Sequence, residues 1–256
     1  MAPIASAEAP PPPAARRVAL IIYVVSVLVF GAFMAERLGR HAVNNHFAYL
    51  ADAYLHGTLS VRCTPELTRA GDTCPPGGGG NDWAQYNGRW FVAFPSFPAV
   101  VYLPAVALFG REFPNRPLDA LVAGIAPALL YLFLDALARK GHSARSWREN
   151  VALTAMFAFG SVYFYTAVQG SVWFVAHVVG CAVGAAFLLA ALDCERPGLA
   201  GVLAGVMFHT RTSMLFGSVF FAMECLRVHR LAETPALDDD ATAAARVVAW
   251  LRGTDW

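Results

Sequence analysis

Long apolar runs constrain the fold of this chain more than any other feature, because a helix of about 20 apolar residues can cross a hydrocarbon core of about 30 Å. Runs close to that length occupy residues 18–34, 118–137, 151–168 and 172–192. The composition agrees: 57% of the 256 residues are hydrophobic and 14% are charged, whereas soluble domains have about 45–50% and about 25%. The sequence therefore predicts an all-α, polytopic transmembrane helix bundle.

Charges at the first run predict how the bundle is oriented. Residues 1–17 are rich in alanine and proline and end in Arg16 and Arg17, so we predict a disordered, cytoplasmic N-terminus. A cleaved signal peptide is the competing interpretation of residues 18–34. An uncleaved helix is favoured, because no small-residue cleavage site is evident after it.

The remaining boundaries follow from this orientation. Residues 18–230 are predicted to form the transmembrane domain, with an extracytoplasmic loop at 36–93 that bears a surface helix, and residues 231–256 a cytoplasmic tail. The protein is expected in the cell (inner) membrane. The basic residues of 139–148 favour a cytoplasmic loop, so the proline-containing run 94–109 is expected to stay on the outer side as a re-entrant or interfacial piece.

Arg211 interrupts the last apolar stretch, residues 199–226. This stretch is either one long helix or two short helices that meet at Arg211. An arginine at mid-membrane costs about 2.5–3.5 kcal/mol on insertion scales unless it faces protein, water or a phosphate. A functional role and a snorkelling or ion-paired arginine both remain open.

The outer loop carries a polar stripe. Asn45, Tyr49, Asp52 and His56 share one face of a predicted amphipathic helix at the membrane surface, which ends at Gly57. This stripe either faces solvent or serves a site. Further along, Cys63 and Cys74 can close a short disulfide loop if the segment is extracytoplasmic.

A hairpin is predicted near the end of this loop. Asn87-Gly88 lies between aromatic flanks, which is typical of a tight β-turn, and Asp82 and Arg89 stand close to it. Glycines 77–80 are interpreted as a flexible hinge, since no Lys-Ser/Thr follows as in a phosphate loop.

Other signals exclude some functions. No Cys/His cluster has metal-ligand spacing, so a structural zinc site is not expected, and a net charge of +1 gives no indication of nucleic-acid binding. His177 within a predicted span is either functional or a hydrogen-bonded packing histidine. The pairs Gly180/Gly184 and Gly201/Gly205 have the spacing of close helix packing.

The order of these features resembles the GT-C superfamily of integral-membrane glycosyltransferases, which contains protein O-mannosyltransferases and bacterial aminoarabinose transferases. The similar segments are residues 44–57, 94–110, 119–140 and 201–211, the last with Gly201 to Gly205 followed by His209-Thr210-Arg211. Asn44, Asn45 and His46 stand where that family usually has an acidic pair. The chain is also shorter than family members, so a truncated member is one interpretation.

The resemblance implies transfer of a sugar from a polyprenyl-phosphate donor to an acceptor hydroxyl at the outer membrane face, with inversion. The acceptor needs a base, for which Asp52 is the first candidate, Asp82 the second and His46 the third. The departing phosphate needs a cation, for which Arg211 and Arg89 are candidates.

Further substrate-binding candidates are Asn45, His56 and His177. Membrane lipid, the polyprenyl-phosphate sugar as co-substrate and an unidentified acceptor are the implied partners; a divalent metal is left open as a cofactor. Two alternatives remain: a non-enzymatic membrane protein, such as a transporter fragment or assembly subunit, and a degenerate transferase that binds the lipid without turnover.

Overall fold

The computed structural model describes residues 13–42, 44–63, 74–75 and 82–233, and most of these residues are helical. The helices are α1 Pro13–Phe33, α2 His46–Leu55, α3 Phe97–Phe109, α4 Arg116–Ala123, α5 Ile125–Arg139, α6 Trp147–Phe159, α7 Val162–Ala167, α8 Val172–Ala191, α9 Pro197–Thr210 and α10 Val219–Glu233. Two antiparallel strands, β1 Trp83–Tyr86 and β2 Arg89–Val92, complete the described elements.

Three helical stretches are long and apolar enough to cross a membrane: Ala14–Phe33, Arg116–Arg139 and Val172–Cys194. They correspond to three of the four predicted spans and confirm the membrane character of the chain. The second stretch comprises α4 and α5, which join at Gly124. A Cβ added there would lie 2.6 Å from Val27 Cγ2, so glycine permits the close approach of α1.

The fourth predicted span, residues 151–168, is wrong as a single helix. The helix is interrupted at Gly160 and Ser161, between α6 and α7. The Ser161 hydroxyl donates to the Phe157 carbonyl and accepts from the Tyr163 amide, at 2.6 and 3.1 Å. A serine cap thus starts a new helix inside a continuous apolar run.

The start of the first helix also differs from expectation. The first helix begins at Pro13, so residues 13–17, including Arg16 and Arg17, are helical and not disordered. Proline suits the first helical position because an amide hydrogen there would have no partner within the helix, so its absence costs nothing. Residues 1–12, the glycines at 77–80 and the tail beyond residue 233 lie outside the described residues.

Helix α2 is buried, so its prediction as a surface helix is wrong. Every residue from His46 to Ala53 is buried, and its apolar side chains Phe47 and Leu50 belong to a core shared with α3 and α8. The helix ends as predicted before Gly57, whose φ of 68° favours glycine. Asn45, Tyr49 and Asp52 of its polar stripe are buried, whereas His56 is exposed.

The predicted hairpin is confirmed, and the disulfide that the sequence left open is present. Strands β1 and β2 pair from Trp83↔Val92 to Tyr86↔Arg89, and the turn residues Asn87 and Gly88 have φ of 48° and 72°. The hairpin is extended on one side, where the Val61 amide donates to the Trp90 carbonyl at 2.8 Å. Cys63 and Cys74 form a disulfide bond.

The stretch around Arg211 consists of two helices, which was one of the two alternatives. Helix α9 ends at Thr210, Arg211 is extended with φ −153° and ψ 123°, and a 3-10 helix at Thr212–Ser218 leads into α10. The run 94–109 contains α3, which has 13 residues and includes Pro104. Both α3 and α9 are shorter than the helices that could cross a membrane.

Helix α8 lies at the centre and contributes buried side chains to three apolar clusters. A Cβ at Gly180 would lie 2.7 Å from the Met214 sulfur, so this glycine does permit close packing. The same interpretation is wrong for Gly201 and Gly205, because a Cβ at either would meet no atom of the described chain within 4 Å.

Candidate functional site

Three separate segments meet at Trp173, in the first turn of α8. The Trp173 indole nitrogen donates to Asp82 Oδ2 at 2.7 Å, and the Trp173 carbonyl accepts from Arg211 Nη2 at 2.9 Å. One residue therefore links a carboxylate before the hairpin to a guanidinium after α9. We call this group the Trp173 cluster; its members are Asp82, Ser96, Trp173, His177, His209 and Arg211.

Asp82 is exposed and immediately precedes β1. Its φ of 69° is uncommon for a non-glycine residue and turns the chain into the strand. Trp173 engages one carboxylate oxygen as a neutral donor, and no ion pair engages Asp82 within the described residues. Asp82 is therefore a carboxylate with an accessible oxygen.

Arg211 has the complementary property. Its guanidinium donates to a backbone carbonyl through Nη2, while its buried Nε has no hydrogen-bond partner among the described residues. No carboxylate of that part of the chain lies in salt-bridge range of it. A guanidinium without a carboxylate partner has donors available for an oxyanion such as phosphate.

The other three members of the cluster are Ser96, His209 and His177. The Ser96 hydroxyl lies 3.5 Å from His209 Nδ1, which links the residue before α3 to the end of α9. His177 follows Trp173 by one helical turn, within electrostatic reach of Arg211. It is exposed rather than buried in packing, and it lines a cavity of about 220 Å³ with Tyr163 and Cys181.

Asp52, the first candidate base, lies in a different group. Its carboxylate is 3.3 Å from Arg62 Nη1 and 3.9 Å from Arg111 Nη1, and His56 Nδ1 is 3.5 Å from it. Asp52 is only 8% exposed. The structure thus does not bring Asp52 together with Asp82 and Arg211, and the ion pairs tie α2 to the segments around residues 62 and 111.

The same group continues beyond Asp52. The Arg111 guanidinium lies 4.6 Å from the centre of the Tyr49 ring, and the Tyr49 hydroxyl donates to Glu112 at 2.5 Å. His41 Nε2 is 3.6 Å from the other Glu112 oxygen. Arg62 and Arg111 were missed by sequence analysis because neither belongs to a recognisable pattern.

The remaining predicted site residues are dispersed. His46 is fully buried and stacks on Trp83 with ring centres 4.0 Å apart. Asn45 is buried at the start of α2, and its side-chain nitrogen has no hydrogen-bond partner among the described residues. His56 accompanies Asp52, and Arg89 is exposed beside the hairpin turn. None of the four contacts Trp173 through a described polar contact.

A buried carboxylate near the start of α4 was also missed. Asp119 accepts hydrogen bonds from the Tyr102 hydroxyl and from Asn115 Nδ2. Asn115 also accepts from the Ala42 amide at 2.8 Å and donates to the Gly170 carbonyl at 3.0 Å. An acid within a predicted span is a signal in itself, but the pattern alone does not reveal these partners.

Metal ligands are not grouped in the described part of the chain, where no three His, Cys, Asp or Glu residues are arranged to hold an ion. No protein-family model, curated protein or solved structure matches this chain. The class defined by fold and site is therefore a helical protein with three helices able to span a membrane and a carboxylate–tryptophan–arginine cluster at the start of the third.

Proposed function

We propose that this protein is a membrane glycosyltransferase that moves a sugar from a polyprenyl-phosphate donor to an acceptor hydroxyl at the outer membrane face. The observation that carries the proposal is the double hydrogen bonding of Trp173, to Asp82 on one side and to Arg211 on the other. This brings a proton acceptor and an anion-binding group to one place, which are the two functions that the reaction requires.

Asp82 takes the role of general base in place of Asp52. A base must have a lone pair that can reach the acceptor hydroxyl. Asp82 is exposed and engaged by one neutral donor, whereas the Asp52 carboxylate faces Arg62 and Arg111 and is largely buried. Asp52 therefore has a structural role in this proposal.

Arg211 takes the role of phosphate anchor. Breaking the bond between the anomeric carbon and the phosphate oxygen leaves negative charge on the lipid phosphate, and a guanidinium can share it through two parallel hydrogen bonds. Arg89, the other candidate, lies at the exposed hairpin turn. His177 and His209 are placed to contribute further polar contacts to the substrate.

The step balances with these residues alone. The acceptor oxygen attacks the anomeric carbon from the face opposite the phosphate, its proton passes to an Asp82 oxygen, and the lipid phosphate leaves as an anion beside Arg211. The product is an inverted glycoside, and Asp82 returns its proton to water or to the phosphate. Removing a positioned base lowers such rates by about 10²–10⁴-fold.

A second candidate function is lipid binding without turnover. It is favoured by one observation, namely that the acid in the helix resembling the family's outer-loop helix, Asp52, is engaged in ion pairs. In that case Arg211 binds the polyprenyl phosphate and Asp82 serves only to hold the hairpin. Uptake of a solute that depends on His177 and Arg211 would instead favour a transporter.

The test compares variants in a strain that lacks the chromosomal copy, with mass spectrometry of envelope glycans and glycolipids as the readout. Asp82→Asn and Arg211→Gln are expected to abolish one glycosylated product at unchanged protein level. Arg89→Gln is the matched control for loss of one exposed positive charge, and it should leave that product intact.

Binding of radiolabelled polyprenyl phosphate to the purified protein separates the two candidates. The transferase predicts that Asp82→Asn binds the lipid as the wild type does, while Arg211→Gln does not. Full product with Asp82→Asn contradicts the transferase. Normal lipid binding together with no glycan change on deletion of the protein supports binding without turnover.

A further inference from the structure

Two cysteines meet at the end of α8 that is remote from Trp173. The Cys194 thiol donates to the Cys225 sulfur, and the two sulfur atoms are 3.0 Å apart. About 30 Å of helix separates this place from the first turn of α8. The pair therefore belongs to neither the Trp173 cluster nor the disulfide between Cys63 and Cys74.

An unusual turn positions Cys194. Asp193 and Cys194 have φ of 53° and 57°, so two successive non-glycine residues are left-handed in the turn Leu192–Cys194. Such conformations persist only where the surroundings hold them. Here they direct the Cys194 side chain toward α10, where Cys225 lies.

Charged groups hold this turn against α10 and α5. The Asp193 amide donates to Glu224 Oε2 at 2.8 Å. The Asp193 carboxylate accepts from Arg227, and from Lys140 and His142 at 2.9 Å each. The two cysteines are thus kept in contact by polar bonds that do not involve sulfur.

We infer that Cys194 and Cys225 form a redox site, in which the two thiols and a bridging disulfide interconvert by exchange with small-molecule disulfides. Both cysteines are partly exposed, so a small reagent can reach them. Only a small movement separates contact at 3.0 Å from a bond, since bonded sulfur atoms lie about 2.05 Å apart.

The reaction follows the two steps of thiol–disulfide exchange. One of the two cysteines, here written as Cys225, reacts first as its thiolate. It attacks one sulfur of a small disulfide, such as oxidised glutathione, and expels one glutathione thiolate. Cys194 then loses its proton and attacks the Cys225 sulfur of the mixed disulfide, which releases the second glutathione. Two protein thiols are oxidised and one glutathione disulfide is reduced.

The bridge would close a covalent ring over residues 194–225. That ring includes α9, Arg211 and the 3-10 helix Thr212–Ser218. Bridge formation therefore ties the first part of α10 to the end of α8 and restricts how far the α9–α10 segment can move. A disulfide stabilises the folded protein mainly by reducing the conformational entropy of the unfolded chain.

The test uses the full-length protein in detergent, equilibrated in buffers of increasing oxidised-to-reduced glutathione ratio. Acid quenching, alkylation with N-ethylmaleimide and peptide mass spectrometry then report each cysteine. We expect Cys194 and Cys225 to lose alkylation together, a peptide linked through both to appear, and dithiothreitol to restore alkylation. Cys181→Ser is the matched control, because it removes the remaining free thiol and should leave the bridge unchanged.

Single variants check that each cysteine resolves the mixed disulfide of the other. With Cys194→Ser, Cys225 should accumulate as a mixed disulfide with glutathione, and with Cys225→Ser, Cys194 should do so. The inference is overturned if both cysteines remain alkylated at the most oxidising ratio. It is equally overturned if the linked peptide contains Cys181, or if the bridge joins two protein molecules.

Discussion

The indole nitrogen of Trp173 donates a hydrogen bond to Oδ2 of Asp82 across 91 positions of sequence. This bond fastens the start of the hairpin to the first turn of α8. The Trp173 carbonyl accepts from Arg211 in addition, so the same residue also holds the end of α9. Asp82 and Arg211 thus bond to the same residue, Asp82 to its indole side chain and Arg211 to its backbone carbonyl.

Trp173→Phe keeps an aromatic ring at this position and removes the donor to Asp82. We expect the free energy of unfolding to fall by about 1 kcal/mol, which is typical of one hydrogen bond. Hydrogen exchange should become faster, and only in residues 82–93. Exchange mass spectrometry of the purified protein measures this. Trp147→Phe, at an exposed indole in the first turn of α6, is the control; equal exchange in the two variants would contradict the role of Trp173.

Asn115→Ala should destabilise the protein by about 3 kcal/mol, because each buried polar group that loses its partner costs about 1–3 kcal/mol. The substitution removes the partners of the Ala42 amide, the Gly170 carbonyl and Asp119 together. Thermal unfolding in detergent measures the effect. Gln85→Ala, which shortens an exposed amide side chain on β1, should change the midpoint little; equal shifts would contradict the prediction.

Asp52 and Arg111 should be energetically coupled, since their side chains are 11% and 5% exposed and 3.9 Å apart. Asp52→Asn and Arg111→Gln are each expected to cost about 3 kcal/mol, as for a broken buried ion pair. The double variant should lose about 1 kcal/mol less stability than the two single variants lose when their losses are added. Strict additivity in a double-mutant cycle would reject the coupling.

The less buried pair formed by Asp135 and Arg139, whose side chains are 15% and 30% exposed one turn apart on α5, is the control for that cycle. Exposed helix pairs of this spacing couple by about 0.3–0.5 kcal/mol. A coupling for Asp52 and Arg111 no larger than this would show that burial adds nothing to their interaction.

We expect the folded protein to lose stability at alkaline pH because of Lys140. Burial lowers the pKa of Lys140, but hydrogen bonds to Glu195 and Asp193 outweigh burial and leave the pKa above its ordinary value of 10.5. A raised pKa stabilises the fold fully below the ordinary value, and that stabilisation disappears as pH rises through the higher, folded-state pKa. His142 and Arg227 share Asp193 with Lys140 and remain as its partners.

Thermal midpoints of the wild type and of Lys140→Met, measured in parallel from neutral to strongly alkaline pH, test this. At neutral pH the thermal midpoint of the wild type should be higher than that of the variant. This difference should shrink above the ordinary lysine pKa. A difference that stays constant across the whole range would assign the effect to packing of the lysine stem and not to its charge.

Local features of the chain were readable from sequence. The turn at Asn87-Gly88 was predictable because both positions need a left-handed backbone that these residues adopt at low cost. A bridge between Cys63 and Cys74 was possible from their spacing, but the sequence left it open because it depends on which side of the membrane the loop faces. The break after Phe159 was not predictable from hydropathy, because the Ser161 cap lies within an apolar run and forms its bonds only to neighbouring backbone.

The candidate site was predictable only in part. Asp82, Arg211 and His177 were identified as single residues of unusual type for their surroundings. Trp173 was given no role, because a tryptophan near a membrane boundary is common in membrane proteins. Asp52 was placed first among the bases for its position in a helix, and its arginine partners, 10 and 59 positions away along the chain, could not be read from that pattern.

By itself, the sequence determined the membrane class, three of the four apolar spans it predicted and the hairpin, because hydropathy and turn geometry act over short stretches of chain. Tertiary structure decided which polar groups meet. It buried α2, paired Asp52 with Arg62 and Arg111, and joined Asp82 to Arg211 through Trp173. Those outcomes depend on contacts between segments far apart in sequence, whose energies no local pattern contains.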